Sequence, residues 1–246
     1  MMDRLLYFVP HGESMQALFR DSRHTVPAPC LLSALIIFFG LPEEDADMFK
    51  KQDLEKPNPA LTSGYRGTDP SRHVMELHRD DFKVYLQGQN LGRIMSKIDD
   101  IFSESISSDP RLKTDEWTEF PDLHAFMATR MFEAVTRTVF GDGFLEVCPD
   151  LYSDFWTFYE ALPTLILKVP RWMNPTSWAA RDRMHEDFIR WRRWGEAQPG
   201  QVGPENIEVF DPIWGTAMSR RLSKIYEDIG FSEKGVAAAV LSYFSV

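Results

Sequence analysis

Pro121-Asp-Leu-His-Ala-Phe-Met-Ala-Thr-Arg-Met-Phe-Glu-Ala-Val-Thr-Arg-Thr-Val-Phe-Gly141 is the stretch on which the fold class turns. Pro121 stands where a first helical residue is tolerated, because an N–H lost there has no intrahelical partner to lose. Leu123, Phe126, Met127, Met131, Val135 and Val139 follow at helical spacings, and Gly141 and Gly143 end the run. The pattern predicts a helix with that apolar stripe buried, and it rules out an all-β chain.

Upstream, Met75, Phe82, Leu86, Leu91, Ile94, Ile98 and Ile101 also keep a helical period, until Ser107-Ser108-Asp109-Pro110 stops it. Downstream, residues 152–167 carry Phe155, Trp156, Phe158, Tyr159 and Leu162. Ser177 can open a helix with Met184, Phe188 and Trp191 inward and six basic residues between Arg171 and Arg193 largely outward. The last segment, from Val236, is apolar nearly all round behind a possible cap at Ser232, as expected of a helix inside a core. It closes without a polar turn, which fits either a docked final helix or an element of a longer fold.

The amino-terminal third is less regular. Leu5-Leu-Tyr-Phe-Val9, stopped by Pro10 and Gly12, suits a short strand, and one or two such strands are expected there. Ser14 can cap a short helix through Met15, Leu18 and Phe19, and a second spans residues 31–39 before Gly40 and Pro42. Residues 42–72 turn acidic and then rich in Pro and Gly, which predicts a flexible loop or lid.

Composition narrows the function. With 43% hydrophobic and 13% aromatic residues in 246, the chain can build a sizeable core. A formal net charge of −10 argues against nucleic acid as partner. The longest apolar run, residues 31–39, is far shorter than the roughly 20 residues of a membrane-spanning helix, so no membrane span and a cytoplasmic location are expected. Cys30 and Cys148 lie far apart without CxxC spacing, which opposes a disulfide framework or structural zinc.

Isolated motifs carry little. Tyr7-Phe-Val-Pro-His-Gly-Glu-Ser14 resembles the opening of the histidine phosphatase family, which implies a phosphomonoesterase acting through His11. Pro10, however, replaces the arginine that would hold the phosphoryl oxygens, and a turn role for His11 is favoured. Gly141-Asp-Gly143 lacks the third glycine of a dinucleotide loop and reads as a helix stop. Arg190-Trp-Arg-Arg-Trp194 could grip a phosphate, but a solvated basic face with tryptophans inward suits the acidic chain better.

Three stretches taken in order resemble the cytochrome P450 family, the haem-thiolate monooxygenases, in a fungal branch of sterol and oxysterol hydroxylases. They are Met15-Gln-Ala-Leu-Phe-Arg-Asp-Ser-Arg-His24, then Trp117-Thr-Glu-Phe-Pro-Asp-Leu-His-Ala-Phe126 running on to Thr138-Val-Phe-Gly141. The third comprises Asp154-Phe-Trp156, Leu162-Pro163, Pro170-Arg-Trp172 and Ala180-Arg-Asp-Arg183. The resemblance implies a mainly α chain of one incomplete domain, residues 1–246. This chain would be the amino-terminal half of a P450 fold, truncated at the central helix that crosses the haem.

The resemblance also implies haem, a reductase supplying NADPH electrons, a lipophilic small-molecule substrate, and a place in the cytoplasm or peripheral to the endoplasmic reticulum. In that chemistry a cysteine thiolate pushes electron density onto the iron, within a frame F-x-x-G-x-x-x-C-x-G. Around Cys148 the framing positions hold Gly141, Phe144 and Asp150, and around Cys30 they hold Arg23, Val26 and Leu32. Both cysteines therefore read as small buried hydrophobes, no catalytic or metal-ligating residue is assigned, and the chain alone is expected to hold no cofactor and to be inactive. Residues 78–93 match the helix that offers cations to haem propionates, which leaves His78, Arg79 and Lys83 as candidates, although the family's W-x-x-x-R form is absent. The alternative is a haem-free accessory protein with a lipophilic pocket, meeting a protein partner or its own copies through exposed apolar surface.

Overall fold

The computed structural model describes residues 12–20, 28–53, 74–113, 117–200 and 202–244. Their elements are helices: α1 (Glu13–Arg20), α2 (Ala28–Ile37), α3 (Glu43–Asp53), α4 (Val74–Tyr85), α5 (Gly88–Ser107) and α6 (Leu123–Phe140). After these come α7 (Asp142–Val147), α8 (Leu151–Ile166), α9 (Pro175–Glu196), α10 (Ala217–Ile229) and α11 (Glu233–Phe244). No strand occurs among the described residues. The strand expected at residues 5–9 and the turn at His11 lie outside them.

The core is assembled on α9 and α11. Met184, Phe188 and Trp191 on α9 are fully buried, as their spacing predicts, and so is the whole Val236 to Leu241 run of α11. A helix without a polar face needs neighbours on every side, and α11 meets α2, α9 and α10. Near its end the Phe244 ring lies 5.0–6.1 Å from the rings of Phe132, Phe140, Phe144, Phe155 and Phe188. The segment is a helix packed into the core.

The first part of the stretch expected to be a loop or lid, residues 42–53, instead contains α3. Its acidic run is a helical first turn: Glu43, Glu44 and Asp45 face the positive end of the helix dipole, and Lys50 and Lys51 occupy the last turn. Phe49 and Ala46 are buried. Asp45, itself wholly buried, accepts from the Ser232 backbone N–H (2.8 Å) and hydroxyl (2.6 Å), while that hydroxyl caps Gly235 (3.1 Å). The carboxylate thus ties α3 to the start of α11, and a Cβ at Gly235 would come within 2.1 Å of it. Residues 54–72 lie outside the described part.

Three further expectations need correction. The apolar period through residues 75–101 is divided between α4 and α5, because the chain turns at residues 86–87 and Gly88 takes φ +58°. In α6 the stop at Gly141 holds, but Asp122 rather than Pro121 opens the helix, Gly143 lies inside α7, and the face differs: Leu123, Met127 and Met131 are exposed, while Ala134, Thr136, Thr138 and Phe140 are buried. α6 packs against α5 and α7, and Thr138 satisfies its hydroxyl on the Ala134 carbonyl (2.8 Å), so a polar residue can sit inward. On α9, Arg181 and Arg192 are buried rather than outward.

Those two arginines have structural duties. Arg181 reaches the carbonyl of Ile37 (3.4 Å), lies over the Trp178 ring (4.7 Å), and fills the space that a Cβ on Gly40 would need. One turn on, His185 Nε2 lies 2.7 Å from the Phe39 carbonyl oxygen. Burial pushes the His185 imidazole down to about 4, so it is neutral at physiological pH and donates to that oxygen. Together they hold the carbonyl end of α2, where donors are needed. Arg192 pairs with Glu196 (3.3 Å) and with Glu227 of α10.

Candidate functional site

Cys148 follows α7 and opens the turn into α8. Its Sγ donates to the backbone carbonyl of Asp187 on α9 (3.4 Å), and the residue is 1% exposed. Burial, with the nearby Asp187 carboxylate adding to it, pushes the thiol up to about 12. A thiol so held stays protonated, whereas a metal ligand must be a thiolate. Asp187 is also buried, and desolvation pushes its carboxyl up to about 6, with Arg190 at 3.4 Å the cation within reach. No group of three or more His, Cys, Asp or Glu side chains placed to hold a metal occurs among the described residues. The Cys30 side chain lies outside them.

Around Cys148 the residues do not fit an axial sulfur ligand. The space beside it is filled by its own core, with Leu151, Phe158 and Phe188 all at 0% exposure.

The cation candidates lie on α4. This helix is held by Phe82, whose ring is 5.7 Å from Tyr243 of α11, by Asp81, paired with Arg221 of α10 (3.4 Å), and by Tyr85, whose hydroxyl donates to the Pro204 carbonyl (3.4 Å). Lys83, next to Phe82 in sequence, is carried to the exposed side. His78 and Arg79 lie in the same helix, and their side chains are outside the described residues. All three candidates therefore share one helix, beside the carboxyl end of α11.

One segment that carries the family resemblance meets a loop far from it in sequence. Thr138-Val-Phe-Gly141 ends α6 with Gly141 at φ +87°, and the loop before α10 docks against it. The Val139 carbonyl accepts from Thr216 N (3.0 Å) and Ser219 Oγ (2.5 Å), and Gly143 N donates to the Pro212 carbonyl (3.0 Å). Within that loop Asp211, buried, accepts from Val202 N (3.2 Å) and Ile213 N (2.7 Å). Gly141 and Gly215 let the two backbones touch: a Cβ on either would fall 2.6 Å or 2.3 Å from a carbonyl oxygen of the other segment.

Comparison with known proteins identifies what kind of frame this is. The chain is 28% identical over 235 residues to cytochrome P450 monooxygenase efuG of Hormonema carpetanum, covering 95% of this chain and 38% of that protein. It is 31% identical over 223 residues to cytochrome P450 monooxygenase fsoE of Humicola fuscoatra, covering 89% and 35%. Over most of its length the chain is related to the amino-terminal half of cytochrome P450 monooxygenases. A third member, calL of Penicillium decumbens, is 26% identical over 234 residues, covering 94% of this chain and 42% of its own length.

No family model matches the chain, and no solved structure does. The chain thus spans between 35% and 42% of the length of these P450 relatives, in their amino-terminal half. The helical frame of α2 to α11 is the form that this P450 stretch takes here.

Proposed function

We propose that this chain supplies part of the substrate-side helical framework of a haem-thiolate monooxygenase, and that oxygen activation is not carried by these residues. The substrate class is lipophilic small molecules, sterol-like or secondary metabolites, as the resemblance implies. The observation that carries the proposal is Cys148: a P450-related chain whose described cysteine is a sealed, protonated thiol has no sulfur there for iron. In this reading His78, Arg79 and Lys83 of α4 are the cations for haem propionates. The electrons come from an NADPH-dependent reductase, at the cytoplasmic or endoplasmic-reticulum surface. Among the described residues no helix is long and apolar enough to cross a membrane.

After haem reconstitution, the reduced carbon-monoxide difference spectrum of the chain is expected to lack the thiolate-type band. Appearance of that band would refute the reading of its cysteines.

A second reading, a haem-free accessory protein, is favoured by one surface feature. Leu167, Trp172 and Met173, around the α8–α9 turn, are 75%, 82% and 60% exposed, more apolar surface than one turn usually shows to water. Reading the coding DNA past the codon for Val246 separates the two. An in-frame cysteine loop with the glycine frame supports the monooxygenase, and a stop codon with a stably folded product supports the accessory role.

A further inference from the structure

Asp187 stands where α9 packs against α8, and its surroundings are short of positive charge. The residue is 4% exposed. Its Oδ1 has the Arg190 guanidinium at 3.4 Å, a long contact to a side chain that is itself half exposed. Its Oδ2 is buried with no hydrogen-bond partner. A carboxylate oxygen left dry in this way costs more than an unpaired neutral group.

The groups around it add to the imbalance. One turn earlier on the same face of α9, Arg183 is committed to Asp154 of α8 (2.5 Å), and the Asp154 carboxylate acts on Asp187 across the seam. From the turn after α7, the Cys148 thiol lies beside the Asp187 carboxylate and donates its S–H to that residue's backbone carbonyl. Glu186 adds a further negative charge from α9 itself. Of the α7 carboxylates, Asp142 is paired with Arg137 (2.5 Å) and Glu146 is exposed. The charges that α11 brings to α9, Glu233 and Lys234, are met by Arg193 (2.6 Å) and Asp182 (4.0 Å), while Arg181 and His185 turn to the end of α2.

We propose that Asp187 is a proton latch: the α8–α9 seam closes on its neutral carboxyl, and ionisation sets a second carboxylate beside Asp154 and weakens the joint. Burial first, and the Asp154 charge after it, push the Asp187 carboxyl from its ordinary 3.8 up to about 6. The folded chain therefore keeps a proton that the unfolded chain gives up. The stability this supplies is complete below pH 3.8 and is lost as the pH rises through about 6, so the joint is weaker above neutrality than below it. The latch does not depend on the family reading.

Thermal unfolding of the full chain and of Asp187→Asn, each from about pH 5 to about pH 8, tests it. Titrations elsewhere in the chain are common to both proteins and cancel in the difference. Relative to the Asn variant, the parent is expected to lose about tenfold in folding equilibrium constant between those limits, a fall of about 4 °C in melting temperature. Because the slope is read, a variant that is uniformly less stable still reports it. Should the Asn variant not fold, carbon-13 NMR of the parent labelled in its aspartate carboxyls decides, with one resonance expected to titrate near pH 6. Parallel pH profiles for the two proteins, or no aspartate carboxyl of the parent titrating above about pH 5, overturns the latch.

Discussion

Gly215→Ala is expected to destabilise the protein by about 4 kcal/mol or more, enough to lower its melting temperature by roughly 10 °C. Two effects add. Gly215 has φ +69°, where an L side chain strains against its own carbonyl by about 1–2 kcal/mol. The larger effect is contact: the new Cβ would stand 2.3 Å from the Val139 carbonyl oxygen, a backbone atom that cannot rotate aside. That oxygen also accepts from Thr216 and Ser219, so separating the segments breaks both bonds. Gly230→Ala is the control. Gly230 has φ +93° at the end of α10 but nothing within 4 Å of a Cβ, and should lose only the local strain, about 1 kcal/mol. Thermal unfolding of the two variants measures the difference.

The second large effect is at Trp191. This side chain is wholly buried, stacked on Phe144 at 4.9 Å, edge-on to Trp214 at 5.0 Å and to Phe140 at 5.6 Å, and its indole N–H donates to the Ile213 carbonyl (3.0 Å). Trp191→Ala removes that ring from a core that cannot collapse around the gap and should cost about 3–5 kcal/mol. Trp191→Phe keeps most of the apolar contact but leaves the Ile213 oxygen without its donor, for a loss of about 1–3 kcal/mol. Denaturant unfolding should rank parent, Phe and Ala in that order. Equal losses for Phe and Ala would mean that the hydrogen bond, not the ring, dominates.

Much of the fold could be read from residue order, for identifiable reasons. Met184, Phe188 and Trp191 recur on one face of α9 and are buried there, because a long helix with a strong stripe has one way to hide it. The all-round apolar run of α11 declared its own burial in the same manner. The face of α6 misled. Its large residues Leu123, Met127 and Met131 point outward, while Phe132 and Phe140, off the expected stripe, carry its ring contacts with α7, α8, α9 and α11. The acidic start of α3 resembles a loop until Asp45 is seen holding Ser232, a partner 187 residues away. Nor does any local pattern announce that Val139 and Gly215 meet. The P450 kinship rested on ordered short stretches, and the comparisons support it.

The candidate site was less open to reading. The sequence frame around Cys148 excludes it as an axial ligand, but why its thiol is inert comes from α9, whose Asp187 carbonyl takes the S–H. The α8–α9 seam brings Asp154 to Asp187 and Arg183, and a basic run such as Arg190-Trp-Arg-Arg-Trp194 does not reveal which cation turns inward.

The central claim is that this P450-related frame seals its Cys148 sulfur away from chemistry. Cys30→Ser leaves Cys148 as the one cysteine of the chain, so an aromatic disulfide reagent at mildly alkaline pH reports on it alone. The account predicts no reaction of the native protein faster than its unfolding, and release of one thiol equivalent once denaturant is added. Stoichiometric reaction of the folded protein at the rate of a free thiol would contradict it.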